Sequence, residues 1–320
     1  MPEAVKKLNL GIALIKVFAC LGVISLHFGG KAYGRWLAVP AFMFVAVYLS
    51  AKTIMSGDRE RLRKRLWRLF VPYATWGFIG YAYRALVHGL CNPMDLVEQL
   101  LTGYPTCGHM YYISLLFWFT ILLFLLERLF VNRDTLVCLL LTVVSFVMQY
   151  TGWNYALFGE IEIGFRYTIG RFFEFLPLAA CGILLAKAKV SERFTPRKGV
   201  LFAMGLFVLS AVLMAIGVPG YPPGFAYCGF APFLMCLSSC VLLITLGDLF
   251  SGGQNRWLRA LGSLSMLTPG VYYCHMIVGE TIQRWLGWEK SHLLAFAVAF
   301  ASAVIVSLVL RVKRIAWIVR

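Results

Sequence analysis

The chain has 320 residues, of which 60% are hydrophobic and only 14% charged, with a mean hydropathy of +0.78. A soluble domain carries about a quarter charged residues, so this chain lacks the polar surface to cover a water-soluble globule. Its net charge of +16 would suggest nucleic acid in a soluble protein, but the charges follow membrane topology instead and no nucleic-acid partner is expected. Lipid offers the backbone no hydrogen bonds, so apolar segments of about 20 residues are expected to be helices.

Ten such spans follow in order, at about 10–29, 36–55, 69–90, 110–130, 135–152, 170–188, 199–218, 226–247, 263–284 and 291–311. The first follows Lys6 and Lys7 and shows no small-x-small cleavage site, so it reads as a retained helix rather than a signal peptide. No internal repeat or low-complexity segment interrupts the series. The expected fold is all-α: a polytopic transmembrane bundle of about ten helices with both termini cytoplasmic, forming one domain over residues 1–320.

Alternation of these spans sorts the cations. Twenty-two of the 30 Lys and Arg residues fall on the side of the N-terminus, including the cluster Arg59, Arg61, Arg63, Lys64, Arg65 and Arg68. Seven fall on the other side, namely Lys31, Arg35, Arg84, Arg166, Arg171, Arg284 and Lys290, and Lys16 lies within the first span. A three-to-one bias matches the positive-inside rule and makes the clustered side cytoplasmic.

Ionisable residues at membrane depth are the main functional signal. Lys16 and His27 are eleven residues apart on the first helix, so they share a face to within about 20° and lie about 16 Å apart along it. That face is expected to line the bundle interior. In RERLRKRLWR, residues 59–68, Arg61, Arg65 and Arg68 recur at i, i+4 and i+7. Guanidinium forks suit phosphate oxygens, although a cytoplasmic anchor obeying the charge rule accounts for them too.

Cys91 and Cys107 share one loop and are able to pair only if it faces an oxidising compartment. The other cysteines read as packing residues, and neither CxxC nor zinc-like spacing occurs, so no metal is expected. His109 opens the fourth span in GHMYYISLLFWF, Arg171 and Glu174 in RFFEFLP are spaced to pair, and His275 lies in the ninth span behind Tyr272 and Tyr273. His88 and His292, at span ends, read as interfacial. His27, His109 and His275 all fall in the outer half of their helices, where a cluster of imidazoles suits general-base chemistry near neutral pH.

In order, these segments resemble the acyltransferase-3 family of integral-membrane acyltransferases. GIALIKVFACLGVISLHF is similar to its first helix, a basic residue followed at a fixed distance by His, with Lys16 where Arg is common and His27 intact. KRLWRLFVPY resembles its Arg-x-x-Arg entry to helix three through Arg65 and Arg68. GHMYYISLLF resembles its His-Leu-Trp-Phe-Leu segment, with Tyr111 where Trp is usual. RFFEFLPLAACGILLAK and LGSLSMLTPGVYYCH resemble its Arg-Phe-x-x-Phe-x-Pro helix and its late Tyr-x-x-His segment. The chain departs in helix two, where AFMFVAVYLS replaces the common Phe-Phe-x-x-Ser-Gly-Phe.

The resemblance implies transfer of an acyl group, usually acetyl, from cytoplasmic acetyl-CoA to a hydroxyl of a cell-surface glycan or lipid-linked sugar, by a multi-pass protein among the lipids of the plasma or inner membrane. Arg65 and Arg68 are then expected on the CoA phosphates, and His27, Lys16, His109 and His275 in the catalytic set. Tyr111, Tyr273 and Glu174 are expected towards substrate. Direct attack on the thioester and an acyl-histidine intermediate remain open. Two other readings use the same residues: a transporter for a small polar solute such as an amino acid, and an inactive assembly subunit of a polysaccharide machine.

Overall fold

The computed structural model describes residues 9–28, 35–89, 92–103, 108–129, 134–151, 165–188, 195–216, 229–250, 256–286 and 292–309. They form eleven α-helices and, among the described residues, no strand. In chain order these are α1 (Leu10–Phe28), α2 (Arg35–Met55), α3 (Arg59–His88), α4 (Pro93–Thr102), α5 (Tyr111–Leu129) and α6 (Asp134–Tyr150). The series continues with α7 (Phe165–Lys187), α8 (Pro196–Ala215), α9 (Phe230–Phe250), α10 (Arg256–Leu286) and α11 (His292–Val309). The protein is thus an all-α polytopic bundle. Five helices, α1, α2, α7, α8 and α9, are long and apolar enough by length and composition to cross a membrane. Helices α5, α6 and α11 are shorter apolar helices. Helices α3 and α10 reach 30 and 31 residues and carry charged ends. Both chain termini, the Cys91–Cys107 pair and the side chains of His88 and His292 lie outside the described residues.

Each expected span corresponds to one long helix, and two differences from expectation bear on the site. Helix α3 begins ten residues ahead of its apolar span, at Arg59, so the arginine cluster forms its first turns. Asp58 makes that start possible by accepting a hydrogen bond from the Arg61 amide at 2.8 Å. The second difference is α4, at ten residues too short to span a bilayer. Asn92 caps it, Pro93 opens it, and Gly103 closes it with a positive φ of 85°. Its exposed Met94, Val97 and Leu101 lie at i, i+3 and i+7, while Gln99 and Thr102 are buried, the pattern of an amphipathic helix.

Helices α1 and α2 form the centre of the bundle. Helix α1 packs on α2, α9, α10 and α11, and α2 on α1, α3, α5, α7 and α9. Helix α8 lies at the periphery, exposing Leu201, Phe202, Met204, Phe207 and Val208. Apolar surroundings give helices no hydrophobic drive to associate, so close packing of small residues must hold them. Gly11 and Gly247 show this: a Cβ on Gly11 would lie 1.7 Å from the Leu243 carbonyl oxygen, and one on Gly247 2.1 Å from the Gly11 nitrogen. Serines add direct ties. Ser210 and Ser238, at 2.7 Å each, donate to the Ala231 and Ala203 carbonyls and button α8 to α9 from both sides. The contacts around Gly11 set the register of α1, the helix that carries both Lys16 and His27.

Candidate active site

His27 lies in the last turn of α1 and is exposed. Helix α10 brings His275 to it. Tyr272, His275 and Gly279 follow at i, i+3 and i+7, one face directed at the end of α1. Gly279 permits the approach, because a Cβ there would lie 2.2 Å from the Phe28 ring. His109 completes the group from a single 3₁₀ turn, Gly108–Met110, that leads into α5. The ring centroids lie 5.4 Å apart for His27 and His275, 4.9 Å for His109 and His275, and 6.4 Å for His27 and His109. Two helices and a 3₁₀ turn, distant in sequence, therefore place three imidazoles together.

Their surroundings differ. His275 is 0% exposed and His109 5%. The Nδ1 of His275 lies 2.7 Å from the Tyr272 carbonyl oxygen. A carbonyl only accepts, so Nδ1 carries the proton and Nε2 keeps its lone pair. That Nε2 and both ring nitrogens of His109 make no hydrogen bond of normal geometry. Buried polar atoms short of well-formed hydrogen bonds are costly, and such atoms suit contact with a polar group.

The turn bearing His109 is held at two points. Tyr272 donates its hydroxyl hydrogen to the His109 carbonyl. The end of α4 presses from the other side: a Cβ on Gly103 would lie 2.3 Å from the Tyr111 nitrogen and 2.6 Å from the Met110 carbonyl carbon. Backbone cannot yield there as a flexible side chain does. Gly103→Ala is expected to destabilise the protein by about 1–3 kcal/mol, through its positive φ plus this clash, and to displace His109. Gly57→Ala is the control, since Gly57 has φ 68° but nothing within 4 Å of its Cβ position. Thermal unfolding should show the larger loss for Gly103→Ala; equal losses would remove Gly103 from the support of His109.

On the other side of Tyr272 lies a cavity of about 630 Å³, within the range of small-molecule and cofactor sites. Its mouth is lined by Arg61, Lys64, Arg65 and Arg68 of α3, and Lys16 of α1 reaches it deeper in. Asp58 and Glu60 are its only carboxylates among the described residues, and both are engaged. Asp58 caps α3, and Glu60 pairs with Arg63 at 2.9 Å and Lys64 at 3.3 Å. The hydrogen bond from Arg63, then that from Lys64, holds Glu60 below the usual carboxylate range, so it stays ionised.

Lys16, Arg61, Arg65 and Arg68 face the cavity with no carboxylate partner among the described residues. Arg65 spends two donors on the fold, Nε to Ser50 Oγ and Nη2 to the Ala46 carbonyl, both at 2.9 Å. Its remaining donors and the other three cations suit an anion rich in phosphate oxygens. Val45, Leu49, Ile113 and Leu116 make part of the wall apolar, and Phe42, Tyr112, Tyr272 and Tyr273 line it with aromatic rings.

Tyr272 joins the two regions. It lines the cavity, and its ring centroid lies 5.7 Å from that of His109 and 5.8 Å from that of His275. Of the residues singled out from the sequence, Lys16, Arg65, Arg68 and Tyr273 line the cavity, and His27, His109 and His275 form the cluster beyond it. Tyr111 and Glu174 do not line the cavity. Tyr111 is buried, and its neighbour Tyr112 faces the cavity instead. Glu174, 0% exposed, forms a buried ion pair with Arg171 within α7. Phe42 and Tyr112 escaped sequence reasoning; Tyr272 is the tyrosine of the Tyr-x-x-His resemblance, but it was not expected to line the cavity.

No curated protein and no solved structure shows a significant match to this chain. The acyltransferase domain that defines the acyltransferase-3 family matches it over residues 9–312. That span includes every helix described above, the cation-lined cavity and all three clustered histidines. The chain therefore belongs to the acyltransferase-3 family and is a membrane acyltransferase.

Proposed function

We propose that the protein moves an acetyl or similarly short acyl group from acyl-CoA, bound on the cytoplasmic side, to a hydroxyl of a cell-surface glycan or lipid-linked sugar beyond the membrane. One observation carries this reading. A cation-lined cavity and a cluster of three histidines meet at a single side chain, Tyr272. The cations are on the side that the charge bias makes cytoplasmic, and the histidines are towards the opposite end of α1. With this orientation the protein belongs in the plasma or inner membrane.

The CoA phosphates lie against Arg61, Arg65 and Arg68, and the pantetheine arm follows the apolar walls past Lys16. The thioester then reaches the aromatic end beside the histidines. His27, the exposed member, takes the proton of the acceptor hydroxyl as its oxygen attacks the thioester carbon. The new C–O bond forms, the C–S bond breaks, and the CoA thiolate regains the proton. His275 supports this role: its ring lies beside that of His27, with centroids 5.4 Å apart, and its Nε2 lone pair is not used by the Tyr272 carbonyl. Tyr273 borders the thioester end of the cavity.

Calorimetry of purified protein with acetyl-CoA tests the donor site, and transfer of [14C]acetyl to alkali-labile esters of envelope polysaccharide tests the reaction. Saturable binding and labelled ester are expected. Absence of acyl-CoA binding, combined with amino-acid uptake into liposomes without acyl-CoA, would replace this reading with transport.

A further inference from the structure

The aromatic part of the cavity lining bears on which acyl groups fit. The rings of Phe42, Tyr112 and Tyr272 form a triangle there, with centroids 5.9 Å apart for Phe42 and Tyr112, 6.1 Å for Phe42 and Tyr272, and 5.5 Å for Tyr112 and Tyr272. All three line the cavity. Tyr272 is anchored through its hydroxyl to the His109 carbonyl, and Tyr112 is buried. Phe42, half-buried on α2, has no polar tie. On the reading of the cavity as an acyl-CoA site, an acyl chain carried towards the histidines passes these three rings, and what extends beyond its carbonyl must fit among them.

We propose that Phe42, Tyr112 and Tyr272 set the length of the acyl group, with Phe42 the residue that excludes chains longer than acetyl. This deepens the reading of the cavity as an acyl-CoA site and rests on it. Close-packed rings do not rearrange to admit added methylenes at low cost. Each methylene that lacks a place lowers transfer by about tenfold or more. Phe42 is the point of control because the other two rings are held by the site itself. Removing it deletes a phenyl ring, larger than the ethyl group by which butyryl exceeds acetyl, and breaks no hydrogen bond.

The test uses membrane vesicles containing the full-length protein and their own glycans, supplied separately with [14C]acetyl-, propionyl- and butyryl-CoA. Wild-type protein is expected to prefer acetyl over butyryl by about 100-fold or more. In Phe42→Ala that ratio should fall by at least about tenfold, with propionyl intermediate. Phe42→Leu, a smaller opening, should move the ratio the same way and is read if Phe42→Ala does not fold. Phe42→Trp should move it the opposite way. A ratio unchanged in the Ala or Leu variant overturns the proposal, as does loss of transfer from every donor in a folded variant. Wild-type protein that transfers acetyl and butyryl equally also overturns it while leaving acyl transfer intact. Only a wild-type protein inactive with every donor counts against the acyltransferase reading itself.

Discussion

Replacing His27 with Ala is expected to reduce acyl transfer by about 10²- to 10⁴-fold, the usual worth of a positioned general base, while acetyl-CoA binding stays within about threefold of wild type. The exposure of His27 makes this substitution interpretable. Truncating an exposed side chain at a helix end leaves little cavity and typically changes stability by no more than about 0.5 kcal/mol. The same change at His275 deletes a fully buried ring and its bond to the Tyr272 carbonyl. At His109 it empties a buried site beneath α4. Loss of activity at those two positions would mix chemistry with folding. Transfer kinetics and calorimetry on one preparation separate the outcomes. A folded His27→Ala protein with wild-type transfer would move the base to another residue, and one that no longer binds acetyl-CoA would make His27 part of the donor site.

Lys16→Met is expected to weaken acetyl-CoA binding by about 10- to 100-fold, the scale of one charge-assisted hydrogen bond away from bulk water. Lys16→Arg should retain most of the affinity, because it keeps the charge and resembles the residue usual in the family. A second readout has the opposite sign. Lys16 is half-buried in an apolar helix and has no carboxylate partner among the described residues. Without ligand it is a cost to the fold, so Lys16→Met should unfold at a higher temperature than wild type in the absence of acyl-CoA. Tighter folding with weaker binding is the signature of a cation kept for its ligand. Lower stability in both states would make Lys16 structural.

The arginines divide by the same reasoning. Arg68 is exposed at the mouth, so its contribution should be small and fade with salt. Arg65→Ala also breaks the ties to Ser50 and Ala46, so its effect on binding must be read beside its effect on stability.

The number of long helices was legible in the sequence because lipid imposes one simple constraint, a run of about 20 apolar residues. The inward face of α1 was legible in part: Lys16 lines the cavity as its place in an apolar span implies, whereas His27, three turns on, is exposed at the end of the helix. Helix α4 was not legible, since ten residues fall below the length of a span, although Asn92, Pro93 and Gly103 mark its ends. Tyr111, expected towards substrate from the resemblance alone, does not line the cavity, whereas its neighbour Tyr112 does. The 3₁₀ turn Gly108–Met110 sets the phase at which α5 begins, and a shift of one residue turns a side chain by about 100° around a helix.

Glu174 illustrates a third limit. Its spacing to Arg171 was readable, but whether that pair faces a cavity or packs within the bundle depends on neighbouring helices. Phe42 was invisible in the same way, and so was the place of Tyr272 between cavity and histidines, although the Tyr-x-x-His resemblance contains it. Their importance comes from contacts among α2, α5, α10 and the His109 turn, which no single stretch of sequence contains.

The central claim is that donor and acceptor meet through this bundle from opposite sides. It is tested most directly by giving [14C]acetyl-CoA, which does not cross lipid, to the outside of two kinds of sealed vesicle containing the protein. Inside-out vesicles present the arginine cluster to the donor and should label their enclosed glycans with alkali-labile acetyl esters, in a manner lost in His27→Ala. Right-side-out vesicles should remain unlabelled. Equal labelling of both, or labelling only of right-side-out vesicles, would contradict the account.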